Sequence, residues 1–174
     1  GLKLTQKSND FQYVGVALAK QGDQVKSGYD YYFGNDYSKF DVDELAKKVV
    51  ESTVEQLGGE PCESKKYKAV FSHEVVSSLV RAYIGNANAE EIQKNSSLFI
   101  GKLGEQIASK KLTIEDTPLA KTIFARWFDD EGVATYNKPI IKNGVLQTYL
   151  HNLTTAAKSG ETTTGNGYMG GGKI

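Results

Sequence analysis

At 174 residues, 39% of them hydrophobic and 24% charged, the chain has an ordinary globular composition and room for one domain or two small ones. Its 21 basic and 21 acidic residues cancel, which removes the electrostatic footprint of a protein that binds nucleic acid or an anionic membrane. No apolar run reaches the length of a membrane span, no signal-peptide pattern opens the chain, and one cysteine cannot form an intramolecular disulfide, so we expect a cytoplasmic protein.

Residues Gln12 to Lys20 carry Tyr13, Val14, Val16 and Leu18; Gln21-Gly22-Asp23-Gln24 then supplies turn chemistry. The run from Val25 to Phe33 follows, ending in Tyr29-Asp30-Tyr31-Tyr32-Phe33. Two β-favouring runs around a Gly-Asp turn predict a long antiparallel hairpin, with the tyrosines packing across its strands. Asp41-Val42-Asp43-Glu44 has the pattern of a capping box, and Leu45, Ala46, Val49, Val50, Val54 and Leu57 recur at helical spacing until Gly58-Gly59. The polar stretch 59–66, with Pro61, marks a boundary. We expect residues 1–64 to end one domain and 65–174 to begin a second. Cys62 has no histidine or second cysteine at ligand spacing and reads as a free thiol.

Residues Tyr67 to Phe71 predict a β run, and Ser72-His73-Glu74 then opens a helix. In the zinc-peptidase pattern H-E-x-x-H, two imidazoles one turn apart reach one metal while the glutamate activates water. Here Ser77 and Ser78 stand one turn on. His73 is thus a candidate metal ligand and Glu74 a candidate catalytic base in a site without its second imidazole. One histidine and one glutamate do not hold zinc at catalytic affinity, and Glu74 needs a metal-bound water to act on. The plainer reading is a helix capped by Ser72, with Glu74 complementing the helix dipole. Val75, Val76, Leu79, Val80, Tyr83 and Ile84 give that helix one apolar stripe, which Gly85-Asn86 ends.

A turn or two of helix is expected over Ala89 to Lys94, and a short strand over Leu112 to Asp116. Asp129-Asp130-Glu131-Gly132 is an acidic turn without the alternating oxygen ligands of a calcium loop, so it reads as a solvated turn or as a contact for a basic partner segment. Asn143-Gly144 between Pro139-Ile140-Ile141 and Val145-Leu146 predicts a hairpin, and Tyr149 to Lys158 predicts a helix ending at Gly160. The only other histidine, His151, falls in that helix, with nothing in the sequence to bring it to His73. Hairpins and helices are grouped rather than alternating, which predicts an α+β fold of antiparallel β-hairpins with packed helices.

From Tyr67 onward the chain resembles the TldD/PmbA family. The matching segments, in order, are Phe71-Ser72-His73-Glu74, Ser97 to Ile107, Leu112 to Asp116, Phe128 to Val133, Ile141 to Leu146 and Thr164-Gly165-Asn166-Gly167. The hairpin from Phe11 and the helix from Asp41 resemble the segment that precedes this domain. Family members are much longer, so the resemblance implies that both ends, Gly1 and the glycine-rich tail through Met169 to Ile174, are cut from a larger protein. It also implies two kinds of subunit. TldD-like subunits carry H-E-x-x-x-H with a further zinc ligand from the distant C-terminal region; PmbA-like subunits, also called TldE, lack the ligands and pair with the first. The family's second histidine falls at Ser78, and the glycine before it at Ser77.

By resemblance, then, the parent protein is a PmbA/TldE-like, non-catalytic subunit of a zinc metallopeptidase that acts on unfolded peptides. It binds no cofactor itself and leaves zinc to a TldD-like catalytic partner. Gly101, Lys102, Gly104, Glu105, Asp129, Asp130 and Glu131 are the expected substrate or partner contacts. The alternatives are a self-sufficient metallopeptidase using His73, Glu74 and ligands outside this sequence, and a non-proteolytic modulator of a target such as gyrase.

Overall fold

In the computed structural model, which describes residues 1–168, the chain falls into two units. One is Lys7–Lys68; the other joins Gly1–Gln6 to the residues from Ala69 on. The glycine-rich tail from Met169 lies outside the described residues.

In the first unit the two β-favouring runs pair along their whole length. Strand β1 (Phe11–Gln21) lies antiparallel to β2 (Gln24–Gly34), with Val16 opposite Tyr29. Helix α1 (Val42–Val54) covers one face of this ribbon. Its N-cap is Asp41, whose side chain accepts a hydrogen bond from the Glu44 amide at 2.9 Å. Close approach is possible because the covered face is built from small residues. Gly15 meets Val49, and a Cβ at Gly28 would strike the Thr53 hydroxyl, which is fully buried and donates to the Val49 carbonyl at 2.6 Å. Phe11, Tyr13, Tyr32 and Phe40 close the open end, with Tyr13 stacked on Phe40 at 4.3 Å between ring centres. The period-two alternation therefore turns Val14, Val16 and Leu18 of β1, and Val25, Tyr29 and Tyr31 of β2, to the other face, where they are exposed.

The second unit has its core around Ala87, Phe99, Ile140, Ile141 and Leu146. A three-stranded antiparallel sheet, in the order β3 (Ile114–Asp116), β4 (Lys138–Lys142), β5 (Val145–Leu146), supplies the last three of these. The β4–β5 turn is the predicted Asn143-Gly144, with φ of 49° and 78°. Gly144 is held from three sides: its N–H donates to the Leu112 carbonyl, and its own carbonyl accepts from the amides of Ile107 and Ala108. Any side chain there would collide with Gln106 and with the carbonyls of Ala108 and Ser109.

Helix α2 (His73–Ile84) touches this core through its C-terminal end only. Tyr83 packs edge-on against Phe99 and donates its hydroxyl to the Ile107 carbonyl at 2.8 Å. Val75, Val76 and Leu79, in the first two turns of the predicted stripe, are exposed. Helices α3 (Ala89–Gln93) and α4 (Leu153–Ser159) complete the α+β arrangement. Two expectations are corrected. Residues 67–71 form no strand, since none of the described strands pairs with them. Helix α4 starts at Leu153 rather than Tyr149, because the backbone of Leu150 is spent on Ala87 and Ala89 in a bridge.

Candidate functional site

The helix opening at α2 is built as the sequence dictates. The Ser72 side chain accepts from the Val75 amide at 3.4 Å, and His73 and Glu74 follow in the first turn. His73 Nε2 lies 2.8 Å from Glu74 Oε1, and the imidazole is 90% exposed. A hydrogen bond from Ser72 holds the Glu74 carboxyl below the usual glutamate range, helped by Glu74's own backbone N–H and then by His73. That is the wrong direction for a general base, which works best with a pKa near the operating pH. Ser77 and Ser78 share the exposed surface. Among the described residues no three histidine, cysteine, aspartate or glutamate side chains converge at metal-ligating distance. The donor set here does not fit a zinc ion, which needs at least three protein ligands.

The predicted contact residues separate into two places. Gly101, Lys102, Gly104 and Glu105 are exposed and form two tight turns with φ of 70° and 81° at the glycines. These turns dock on β5: Gly104 N–H donates to the Leu146 carbonyl at 2.8 Å, and Leu146 N–H to the Glu105 carbonyl at 3.0 Å. The backbone of this segment thus occupies a sheet edge, while its side chains face out.

Asp129, Asp130 and Glu131 sit at the centre of a different construction. Asp129 is 1% exposed. Its Oδ1 accepts from the amides of Glu131 and Val133, and its Oδ2 from that of Gly167 at 2.8 Å. Asp130 N–H donates back to the Gly167 carbonyl at 3.0 Å, and the Asp130 side chain is exposed. Glu131 Oε2 accepts from the Leu153 amide at 2.7 Å, placing a carboxylate on the first turn of α4. Asp129 and Glu131 therefore clamp the Thr164–Gly167 segment and the start of α4, and Asp130 is the member whose side chain faces solvent.

The same segment is held from its other side by residues outside the expected contact set. Thr164 Oγ1 accepts from the His151 amide at 2.6 Å, and the His151 carbonyl accepts from the Thr164 amide at 3.1 Å. Asn166 Nδ2 donates to Asp116 Oδ2 at 2.9 Å. That oxygen also receives Lys138 Nζ at 2.8 Å, in a pair whose lysine side chain is only 5% exposed. The β3–β4 register, with Asp116 opposite Lys138, is what sets the two charges face to face. No local motif announces this pairing; only the register does.

His151 is buried, and its Nδ1 has no hydrogen-bond partner among the described residues. Burial pushes the imidazole below its ordinary range, against a smaller opposing pull from Glu161 and from a backbone hydrogen bond with Thr155. In the unfolded chain the ring takes up a proton below about pH 6.5, whereas the folded chain resists it. The unfolded state then holds more protons, so stability is expected to fall as pH drops below that point, by at most ~1.4 kcal/mol per pH unit for this one group. Thermal midpoints from pH 7.5 to 5.0 should show the fall, and His151→Gln should lose this component. An unchanged pH dependence in the variant would refute the assignment.

Comparison with known proteins gives a consistent result. The profile of the PmbA/TldA metallopeptidase C-terminal domain matches residues 64–173. A metalloprotease of Methanocaldococcus jannaschii is 33% identical over 137 residues, covering 78% of this chain and 30% of that protein. Metalloprotease PmbA of Escherichia coli O157:H7 is 28% identical over 151 residues, covering 86% of this chain and 34% of its own length. In crystal, a proposed modulator of a DNA gyrase from Thermotoga maritima superposes with a TM-score of 0.83 at 34% identity, over 93% of this chain and 38% of that one. The chain spans about a third of the length of the curated relatives it matches.

Proposed function

The chain belongs to the PmbA/TldD metallopeptidase family, and from that premise we propose that it is part of a PmbA/TldE-like subunit that does not itself cleave, in a TldD/TldE-type zinc metallopeptidase acting on unfolded peptides. The observation that carries this reading is Ser78. It stands where the resemblance to TldD-like subunits calls for the second imidazole, and a hydroxyl is a poor zinc donor beside a histidine nitrogen. The lowered pKa of Glu74 supports it, since a general base works best with a pKa near the operating pH.

On this reading zinc belongs to a TldD-like catalytic partner, and both subunits work in the cytoplasm. The exposed side chains of Lys102, Glu105 and Asp130, together with Gly101 and Gly104, are the places offered to partner or peptide. Asp129 and Glu131 act from behind, by fixing the turn that presents Asp130.

The test mixes the whole protein carrying this sequence with its TldD-like counterpart and follows cleavage of reduced, unfolded casein. Cleavage is expected only in the mixture, with zinc content tracking the partner. His73→Ala in this protein should change the mixture's rate by no more than about twofold. Cleavage by this protein alone, or loss of zinc and activity on His73→Ala, would overturn the proposal and favour the self-sufficient peptidase.

A further inference from the structure

We propose that Asn166 is a latent deamidation site and that the Asp129 carboxylate keeps it from reacting. An asparagine followed by glycine is the dipeptide most prone to this change, because a residue without Cβ lets its nitrogen reach the side chain before it. The chain has two such dipeptides, Asn143-Gly144 and Asn166-Gly167. The reaction is a cyclisation. The Gly167 amide nitrogen gives up its proton and bonds to Asn166 Cγ; the Cγ–Nδ2 bond breaks, and the side-chain nitrogen leaves with that proton as ammonia. Water then opens the five-membered imide at either carbonyl, leaving aspartate or isoaspartate. No oxidant or cofactor is required.

In the folded chain each reacting group is engaged elsewhere. The nucleophile is the N–H whose proton Asp129 Oδ2 accepts at 2.8 Å, and Gly167 is buried. A carboxylate at that distance holds the proton and opposes the negative charge that its loss would leave on nitrogen. The electrophile is held at both ends: Asn166 Nδ2 donates to Asp116 Oδ2 at 2.9 Å, and Asn166 Oδ1 accepts from the Thr164 hydroxyl at 2.8 Å. The backbone between them is fixed as well, by Asp130 N–H on the Gly167 carbonyl and Tyr168 N–H on the Asn166 carbonyl, each at 3.0 Å. At Asn143-Gly144 the Gly144 N–H meets a neutral acceptor, the Leu112 carbonyl at 2.8 Å, and no hydrogen bond to the Asn143 carboxamide occurs among the described residues. All the contacts that hold Asn166 and Gly167 are internal to the second unit.

Asp129 therefore has a chemical task besides its structural one. If Asn166 reacts, a carboxylate replaces the carboxamide beside Asp116, and the repulsion removes that hydrogen bond. Isoaspartate also adds a methylene to a main chain pinned at His151 and at Asp130, which releases the Thr164–Gly167 segment.

The test incubates the whole protein carrying this sequence in mildly alkaline buffer and follows residues 159–173, which trypsin frees as one peptide with Asn166 its only asparagine. Mass spectrometry reads the conversion of amide to acid. In the folded protein it should run at least about tenfold slower than in the same protein unfolded in concentrated urea, the factor that one charge-assisted hydrogen bond is worth. Asp129→Asn should restore about tenfold or more at Asn166 in the folded protein, while Asn143 keeps its wild-type rate. Equal rates at Asn166 in folded and unfolded wild-type protein would overturn the proposal, and that comparison stands whether or not the variant folds. So would a folded Asp129→Asn protein, established by circular dichroism, that reacts no faster at Asn166, or one in which Asn143 accelerates as much.

Discussion

Lys138→Met is expected to destabilise the second unit by about 3–5 kcal/mol, the usual cost of breaking a buried ion pair from one side. The ammonium is tied to Asp116 at 2.8 Å and to the Tyr136 carbonyl at 3.3 Å, and lies 4.5 Å from the centre of the Tyr136 ring. Without it, Asp116 keeps Asn166 as its one side-chain donor among the described residues and holds a carboxylate at a position only 26% exposed. Adding Asp116→Asn to Lys138→Met removes that stranded charge and should recover roughly 2 kcal/mol or more of the loss. Urea unfolding followed through Trp127, the only tryptophan and a member of this unit, reads both numbers. A double variant no more stable than the single one would show that the pair is not what holds β3 to β4.

The second large effect is expected at Asp129. Asp129→Asn keeps the shape and one acceptor oxygen, which can still serve Glu131 and Val133, but it points an amide N–H₂ at the Gly167 N–H. Two donors then face each other in a buried place, at a cost of about 2–4 kcal/mol. Asp129→Ala frees all three amides and should be the worse of the two. Thermal unfolding gives the size of the loss. Hydrogen exchange locates it, since the amides of Val133 and Gly167 should lose protection before those of β4. Protection unchanged at Gly167 would place the clamp elsewhere.

Much of the fold could be read from short patterns. Asp41 with its helical stripe, Gly22-Asp23 between two β-favouring runs, and Asn143-Gly144 each specify an element from within a few residues, and each forms where expected. The pieces that failed depend on distant chain. Residues 67–71 have strand composition, but no described strand offers them an edge. Residues 149–152 have helical composition, but Leu150 is drawn to Ala87 and His151 to Thr164. The site divides in the same way. The missing imidazole at Ser78 is plain from spacing alone. That Asp129 is buried while its neighbour Asp130 faces water is not, because the partner that buries it, Gly167, is 38 residues away.

That last separation has a consequence for biosynthesis. Every residue of the apolar core, from Ala87 to Leu146, leaves the ribosome well before Gly167 does. A nascent chain halted between the two has its oily interior complete while the Asp129 carboxylate still waits for its third amide. Closure of this lobe is therefore completed only after residue 167 has emerged, later than its apolar core. A stop codon placed shortly before residue 167 would harm it more than its distance from the core suggests.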